Sequence, residues 1–421
     1  MSEYIISPGK KIHGTVSISG SKNAALPILA AGLLSEGESV FLGIPQLSDT
    51  KHMGELLTAM GGHYCRHEDG TVSVSLSCSA KKKTAPLELV GKLRASFLVM
   101  GPILARCGKV RMPLPGGCRI GARPIDLHLK GFSAMGAKIK QGHGYVEATC
   151  DRLKGTNIYL DFPSVGATEN LMLAACLADG KTVIENAAAE PEIADLAGCL
   201  TAMGALIEGA GSDTICIQGK ASLSPCRYRI IPDRIETGTF LAIAAASHGD
   251  LTLTGVCPGH IKPILAKLEE MGFSMEAGED MIHIHPCDRF QSVDIKTLPH
   301  PGFPTDMQAP FMALMSVAEG TGIVVETVFE NRFMQVPELL RMGAKIKIDG
   351  RTAVVDGTKR LSGAQVKATD LRAGAALVVA ALAAQGETVI GNIEHMERGY
   401  ENFVEKLQGI GVEIQKKISQ E

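Results

Sequence analysis

The chain has 421 residues, a net charge of −3 and 45% apolar residues. That length exceeds what one core serves, so two or more domains are expected, and the near-neutral balance excludes a wholesale nucleic-acid binder. Eleven cysteines, an odd number without a CxxC pair, fit a reducing, cytoplasmic setting better than a disulfide framework, and for the same reason no zinc site is expected. Apolar runs such as Ala373 to Ala384 are too short for a membrane span. Met1 to Gly9 carries no charged-then-apolar leader, so no signal peptide is expected.

Taken in order, the chain repeats one unit six times. It opens with strand-like Tyr4 to Ile6 and Val16 to Ile18. An apolar helix follows, Ala24 to Leu34, then a Gly stop and a strand, Ser39 to Leu42. A second, amphipathic helix spans Thr50 to Met60, and short alternating strands such as Thr71 to Ser75 close the unit. Thr182 to Glu185, Leu251 to Thr254 and Thr388 to Ile390 repeat the first strand. One glycine mark ends the apolar helices at Gly37, Gly108, Gly180, Gly249, Gly320 and Gly386, in steps of 71, 72, 69, 71 and 66 residues. A second mark follows the amphipathic helices at Gly61, Gly136, Gly204, Gly272, Gly343 and Gly411, in steps of 75, 68, 68, 71 and 68. Two independent marks with one period define six repeats.

The final strand, Val412 to Gln415, comes soon after Gly411, so the N-terminal strands can complete the sixth unit. This circular completion predicts two globular halves of three units, residues 1–21 with 230–421 and residues 22–229, against the alternative of one stacked solenoid. The chain would cross between halves near Gly20 to Lys22 and near Arg229 to Asp233, and the active site is expected in the cleft between them.

Within the second unit, Pro113 to Gly117 is turn-rich, and Cys118 lies among Gly116, Gly117 and Gly121 with Arg119 and Arg123 beside it. Gly and Pro suit a loop that swings as one piece. Two neighbouring guanidinium groups favour a thiolate, so Cys118 reads as a functional thiol on a lid over an anionic substrate. The plainer reading is a small buried hydrophobe, which suits Cys176, Cys199 and Cys216 in their apolar runs.

Most apolar helices begin with polar residues. Ser21-Lys22-Asn23, Lys92 with Arg94, Ser164-Val165-Gly166, Asp233 to Thr237, Thr305-Asp306 and Thr369-Asp370-Leu371-Arg372 fall there. N-capping accounts for Thr305 and Thr369. It does not account for Lys22, Arg94 and Arg372, because a cation opposes the dipole at a helix N-terminus unless an anion sits between. Arg123, Arg332 and Arg398, expected to open second helices, extend the set to a positive funnel suited to carboxylate and phosphate. Asp306 is the anion in this set and reads as a base or hydroxyl anchor, and Ser164-Val165-Gly166 as a diphosphate seat.

Several long motifs occur in order from end to end. They are Gly20-Ser-Lys22-Asn23-Ala-Ala-Leu-Pro, Pro115-Gly-Gly-Cys118-x-Ile-Gly-Ala-Arg123-Pro-Ile-Asp126-Leu-His, Phe303-Pro-Thr-Asp306-Met-Gln, Glu330-Asn-Arg332-Phe and Ala368-Thr-Asp370-Leu-Arg372-Ala. On these the chain resembles the UDP-N-acetylglucosamine enolpyruvyl transferase (1-carboxyvinyltransferase) family. The resemblance implies an α/β fold of two inside-out α/β barrel domains with three repeats each. It also implies transfer of the enolpyruvyl group of phosphoenolpyruvate to the 3′-hydroxyl of UDP-N-acetylglucosamine, with phosphate released, at the first committed step of peptidoglycan precursor synthesis.

By that resemblance Cys118 protonates C3 of phosphoenolpyruvate and can form an adduct with it, and Asp306 takes the 3′-hydroxyl proton. Lys22, Arg123 and Arg398 would grip the phosphate, and Arg332 and Arg372 the carboxylate, with Asp370 nearby. Asn23 and Arg94 would serve the sugar nucleotide, Pro124, Asp126 and Leu127 the uracil with Ile125 among them, Ser164, Val165 and Gly166 the diphosphate, and Val328 the sugar. Some relatives carry Lys before the Ser-Val-Gly turn, where this chain has Phe162-Pro163. The scheme implies no cofactor, metal, nucleic acid or membrane, and implies that an epoxide phosphonate would alkylate Cys118. The rivals are the sister enzyme acting on shikimate 3-phosphate, against which the Cys118 loop and Arg123-Pro-Ile-Asp126 argue, and a non-catalytic paralogue that binds the sugar nucleotide.

Overall fold

The computed structural model of the chain describes residues 2–7, 11–76, 84–114 and 125–418. They form two compact units, one over residues 2–19 and 232–418 and the other over 20–231.

Each unit is built around three helices. Residues 20–231 contain α1 (Lys22–Ala31), α2 (Met100–Cys107) and α3 (Val165–Ala175). The other unit contains α4 (Arg234–Ala246), α5 (Gln308–Met315) and α6 (Leu371–Leu382). These helices are apolar on every side, which suits the middle of a core rather than its surface. Every residue of α5 and all but the first of α4 and α6 are buried. Small residues run through α6 at Ala373, Gly374, Ala375 and Ala376, and a Cβ at Gly374 would lie 2.4 Å from Met396 Cγ, so that side chain packs directly on the helix backbone.

The sheets lie outside these helices, one per repeat. In residues 20–231 the strand orders are Arg227–Arg229, Ser39–Leu42, Val72–Leu76, Gly62–Arg66; then Lys109–Pro113, Tyr145–Thr149, Lys138–Gly142; then Asn157–Tyr159, Lys181–Glu185, Thr214–Gln218, Leu206–Glu208. Thr84 bridges in parallel to Arg111 and extends the second sheet. In the other unit the orders are His13–Ser17, Asp250–Thr254, Met281–Ile284, Met275–Ala277; then Ile295–Lys296, Thr321–Val325, Thr352–Asp356, Lys345–Asp349; then Gln365–Lys367, Thr388–Gly391, Ser2–Ile6, Ile414–Ile418. Strand residues alternate between core and outer face, as the pleat requires. Ile215 and Ile217 point inward, so Cys216 between them is half-buried on the outer face and not in the core as expected. Cys176 and Cys199 are buried.

Two edge strands are exchanged. In four sheets the parallel edge segment precedes the central helix of its own repeat. His13–Ser17, just before α1, instead pairs with Asp250–Thr254, and Arg227–Arg229, just before α4, pairs with Ser39–Leu42. Ser2–Ile6 fills the place of a last strand in the sixth sheet, antiparallel to both neighbours.

Both exchanges are fastened by buried carboxylates. Glu236 accepts the Ser19 N–H at 2.8 Å and Lys406 Nζ at 2.6 Å. Burial pushes its carboxyl up to about 7, while the Lys406 ammonium pulls the other way. Asp195 accepts the Tyr228 O–H at 2.8 Å and the Ile231 N–H at 3.2 Å, and burial pushes it up to about 6.

All six glycines of the second mark have positive φ, from 91° to 107°, which is why no other residue stands there. The first mark is mixed: Gly108, Gly180, Gly320 and Gly386 have positive φ, but Gly37 and Gly249 do not. Those two are glycine for closeness, since a Cβ would lie 2.6 Å from Pro225 Cγ and 2.3 Å from Ile12 Cγ1 respectively.

Candidate active site

In residues 20–231 the expected site residues cluster at element starts. Ser21 Oγ accepts the Ala24 N–H at 3.3 Å and caps α1, which places Lys22 and Asn23 in its first turn. Lys22 Nζ lies 3.5 Å from Asp49 Oδ2, and the side chains are 12% and 5% exposed. That carboxylate offsets the charge Lys22 places at a helix N-terminus. Arg94 opens a 3-10 turn, Arg94–Val99, ahead of α2, and Lys92 ends a short helix, Leu87–Lys92, so neither stands at the start of α2. The bend at Leu93, with extended backbone, separates the two segments.

Asp126 begins the helix Asp126–Ala134 and is exposed, with Ile125 and Leu127 half-buried on either side. An acidic residue suits a first helical turn. Ser164 Oγ accepts the Ala167 N–H at 3.4 Å and caps α3, so Val165 and Gly166 form its opening turn. Asn170, inside α3, ties these parts together. Its Oδ1 accepts the Gly101 N–H at 2.8 Å, and its Nδ2 donates to the Phe97 carbonyl at 2.9 Å and to His128 Nδ1 at 3.0 Å. Because the Gly101 N–H fixes which end of the amide is oxygen, His128 Nδ1 must accept, and the neutral ring carries its proton on Nε2. Burial lowers the imidazole to about 4 and keeps it neutral. Gly166 lies alongside the ring: a Cβ there would sit in ordinary contact, 3.7 Å from Nε2.

In the other unit Asp306 is the hub. Its Oδ1 accepts Arg332 at 2.6 Å and its Oδ2 accepts Arg372 at 2.8 Å, each through Nη2. The two arginine side chains are 4% and 7% exposed and Asp306 25%. Arg372 also donates to the Tyr400 hydroxyl at 3.3 Å, and that oxygen lies 2.9 Å from Thr239 Oγ1. Thr239 spends its own proton on the Ile235 carbonyl at 2.8 Å, so Tyr400 donates to Thr239 and accepts from Arg372. Burial works against the Arg372 charge, but Asp306, Tyr400 and Asp233 together outweigh it and the net shift is upward. Two guanidinium groups thus converge on the Asp306 carboxylate, in a geometry that a substrate oxyanion could equally occupy.

Asp370, rather than the expected Thr369, caps α6: its Oδ1 accepts the Arg372 and Ala373 N–H groups at 2.9 and 3.1 Å. Thr305 does not cap α5. It donates to Glu326 Oε2 at 2.8 Å, and Glu326 Oε1 also accepts the Val328 and Phe329 N–H groups at 2.8 and 3.1 Å. Arg332 and Arg398 stand in turns before their helices, Val336–Arg341 and Phe403–Gly409, not in them. Pro337 fixes the first helical start, and Asn402, with φ 49°, precedes the second. Cys118, Arg123 and Pro124, with Arg119, lie outside the described residues.

The sequence reading gave no role to Asp49, His128, Asn170, Glu326 or Tyr400. Asn170 ends a polar run, Thr168-Glu169-Asn170, in an otherwise apolar helix, and Tyr400 follows Arg398 by two residues; those are the signals available for them. Among the described residues one group could hold a metal ion, Asp250 with His283 and His285, and it includes none of the expected site residues. Among them, too, no helix is long and apolar enough to cross a membrane.

The fold and the sequence of this chain have counterparts. The sequence model of the EPSP synthase (3-phosphoshikimate 1-carboxyvinyltransferase) family matches residues 6–407. The crystal structure of the enolpyruvyl transferase NikO from Streptomyces tendae aligns with a TM-score of 0.89 at 27% identity, over 100% of this chain and 99% of that one. An EPSP synthase from Acinetobacter baumannii shares the fold, with a TM-score of 0.77 at 18% identity over 99% of this chain and all of its own. The class is therefore that of the carboxyvinyltransferases. Within it, UDP-N-acetylglucosamine 1-carboxyvinyltransferase 1 of Caldanaerobacter subterraneus subsp. tengcongensis is 53% identical over 415 residues, 99% of both chains. The corresponding protein 2 of Carboxydothermus hydrogenoformans is 54% identical over 418 residues, again 99% of both. The chain belongs to the UDP-N-acetylglucosamine 1-carboxyvinyltransferase family.

Proposed function

We propose that the chain transfers the enolpyruvyl group of phosphoenolpyruvate to the 3′-hydroxyl of UDP-N-acetylglucosamine and releases phosphate, in the cytoplasm, at the entry to peptidoglycan precursor synthesis. The observation that carries this reading is identity above one half, end to end, with relatives named for that reaction.

The chemistry is addition followed by elimination. A proton is delivered to C3 of phosphoenolpyruvate, the 3′-oxygen bonds to C2, and the hydroxyl proton goes to a base. The C3 proton is then withdrawn, the C2–O bond to phosphate breaks, and the double bond returns in the product. Cys118 is the acid at C3 and Asp306 the base. Lys22, Arg123 and Arg398 hold the phosphate, and Arg332 and Arg372 the carboxylate. Asn23 and Arg94 hold the sugar nucleotide, Pro124, Ile125, Asp126 and Leu127 the uracil, Ser164, Val165 and Gly166 the diphosphate, and Val328 the sugar. Asp370 supports Arg372 through its first helical turn. The arginine pair on Asp306 supports this division of labour. A substrate carboxylate that takes the two guanidinium groups releases Asp306 to accept a proton.

The deciding measurement is phosphate release from phosphoenolpyruvate with UDP-N-acetylglucosamine, in parallel with shikimate 3-phosphate. Release with the sugar nucleotide alone is expected; release with the shikimate compound alone would overturn the acceptor. Cys118→Ser should lose most turnover while still binding the sugar nucleotide, and near-normal turnover would remove Cys118 as the acid.

A further inference from the structure

The outer face of the sheet Asp250–Thr254, Met281–Ile284, Met275–Ala277 carries a group of side chains that the reaction does not use. His283 and His285 are two residues apart, so the pleat turns both rings to one side. The rings meet edge to face with centroids 4.4 Å apart. His283 Nε2 lies 3.0 Å from Asp250 Oδ1, and His285 Nε2 lies 3.0 Å from Glu276 Oε1. Ligand atoms of Asp250, His283 and His285 all fall within 4.8 Å of one another. Thr252, paired across the strands with His283, places Oγ1 2.8 Å from its Nδ1.

We propose that Asp250, His283 and His285 form a surface site for a divalent transition-metal ion such as Zn²⁺, Co²⁺ or Ni²⁺. Two imidazoles and a carboxylate are the donor set these ions prefer, and they disfavour Ca²⁺ and Mg²⁺, which take oxygen ligands. Donors at about 2.0–2.2 Å from zinc sit roughly 3.4 Å from one another in a tetrahedron, so the present spacing closes by small rotamer changes on two neighbouring strands. The ion replaces the proton now shared by His283 Nε2 and Asp250. The His283 proton then resides on Nδ1, where the Thr252 hydroxyl, which can donate or accept, receives the hydrogen bond and orients the ring. Glu276 stands beside this group against His285, and the exposed face leaves the remaining position to water. The missing CxxC motif excludes thiolate zinc sites but has no bearing on this donor set.

The test is titration of Co²⁺ and Zn²⁺ into the full-length protein, followed by calorimetry and by the visible spectrum of bound Co²⁺. One equivalent is expected, with no sulfur-to-cobalt charge-transfer band from the cysteines, and with a thermal midpoint that rises with metal concentration. His283→Gln and His285→Gln should each abolish both effects while phosphate release without added metal stays unchanged. Thr252→Val should weaken binding by about 10- to 100-fold. No binding at neutral pH, binding undiminished in both histidine variants, or a sulfur charge-transfer band would each overturn the assignment.

Discussion

At the scale of single residues, polar groups hold the site in defined hydrogen bonds. Asn170 satisfies two backbone groups and one imidazole, and so fixes His128 as a neutral ring with its proton on Nε2. The group titrates near 4 in the folded chain and near 6.5 when unfolded. Between those values the unfolded state binds the extra proton, so this contribution is complete above about pH 6.5 and is lost as the pH falls through 4. The ring keeps a partly exposed edge, so its share is at most about 3 kcal/mol. Denaturant melts from pH 7 to pH 4 should show His128→Phe flattening this slope; an identical slope in both proteins would remove His128 as its source. Asn170 and Glu326 were not legible as site residues, because each acquires its role from partners far along the chain that local pattern does not reveal.

At the scale of elements, the glycines separate two physical demands. Gly136 has φ 91° and open space around it, so Gly136→Ala should cost about 1–2 kcal/mol from backbone strain alone. Gly20 is packed: a Cβ would lie 1.9 Å from the Gly43 carbonyl oxygen and 2.9 Å from Ile230 Cδ1. Backbone cannot step aside as a side-chain tip can, so Gly20→Ala should destabilise by at least about 3 kcal/mol. Urea midpoints of the two variants check this order, and the reverse order would refute it. The six-fold repeat was legible because the second glycine mark meets a backbone requirement that recurs in every unit, and the first mark meets either that requirement or a close approach. Helix starts were less so. Arg332 and Arg398 look like first-turn residues in sequence, yet Pro337 and the turn at Asn402 set those helices to begin later. Caps were displaced similarly, with Asp370 taking the place expected of Thr369 because its carboxylate reaches two N–H groups.

At the scale of the whole molecule, residues 20–231 contain every strand of their own three sheets, whereas residues 232–418 lack the strands Ser2–Ile6 and His13–Ser17. A fragment of residues 20–231 should therefore melt cooperatively by itself. A fragment beginning at residue 232 should do so only when residues 1–19 are joined through a linker behind residue 421, where Ser2 already pairs with Ile418. Cooperative melting of the fragment without that addition would contradict this account. The exchanged strands also impose an order on synthesis. Tyr4, Ile6 and Val16, all buried in the finished protein, are made long before their partners at 250–254, 388–391 and 414–418. At about 5–20 residues per second, the N-terminal strand Ser2–Ile6 waits roughly 20–80 s for the last of them. Throughout that interval the nascent chain carries an unpaired apolar strand, and whatever shields it then is not the finished fold.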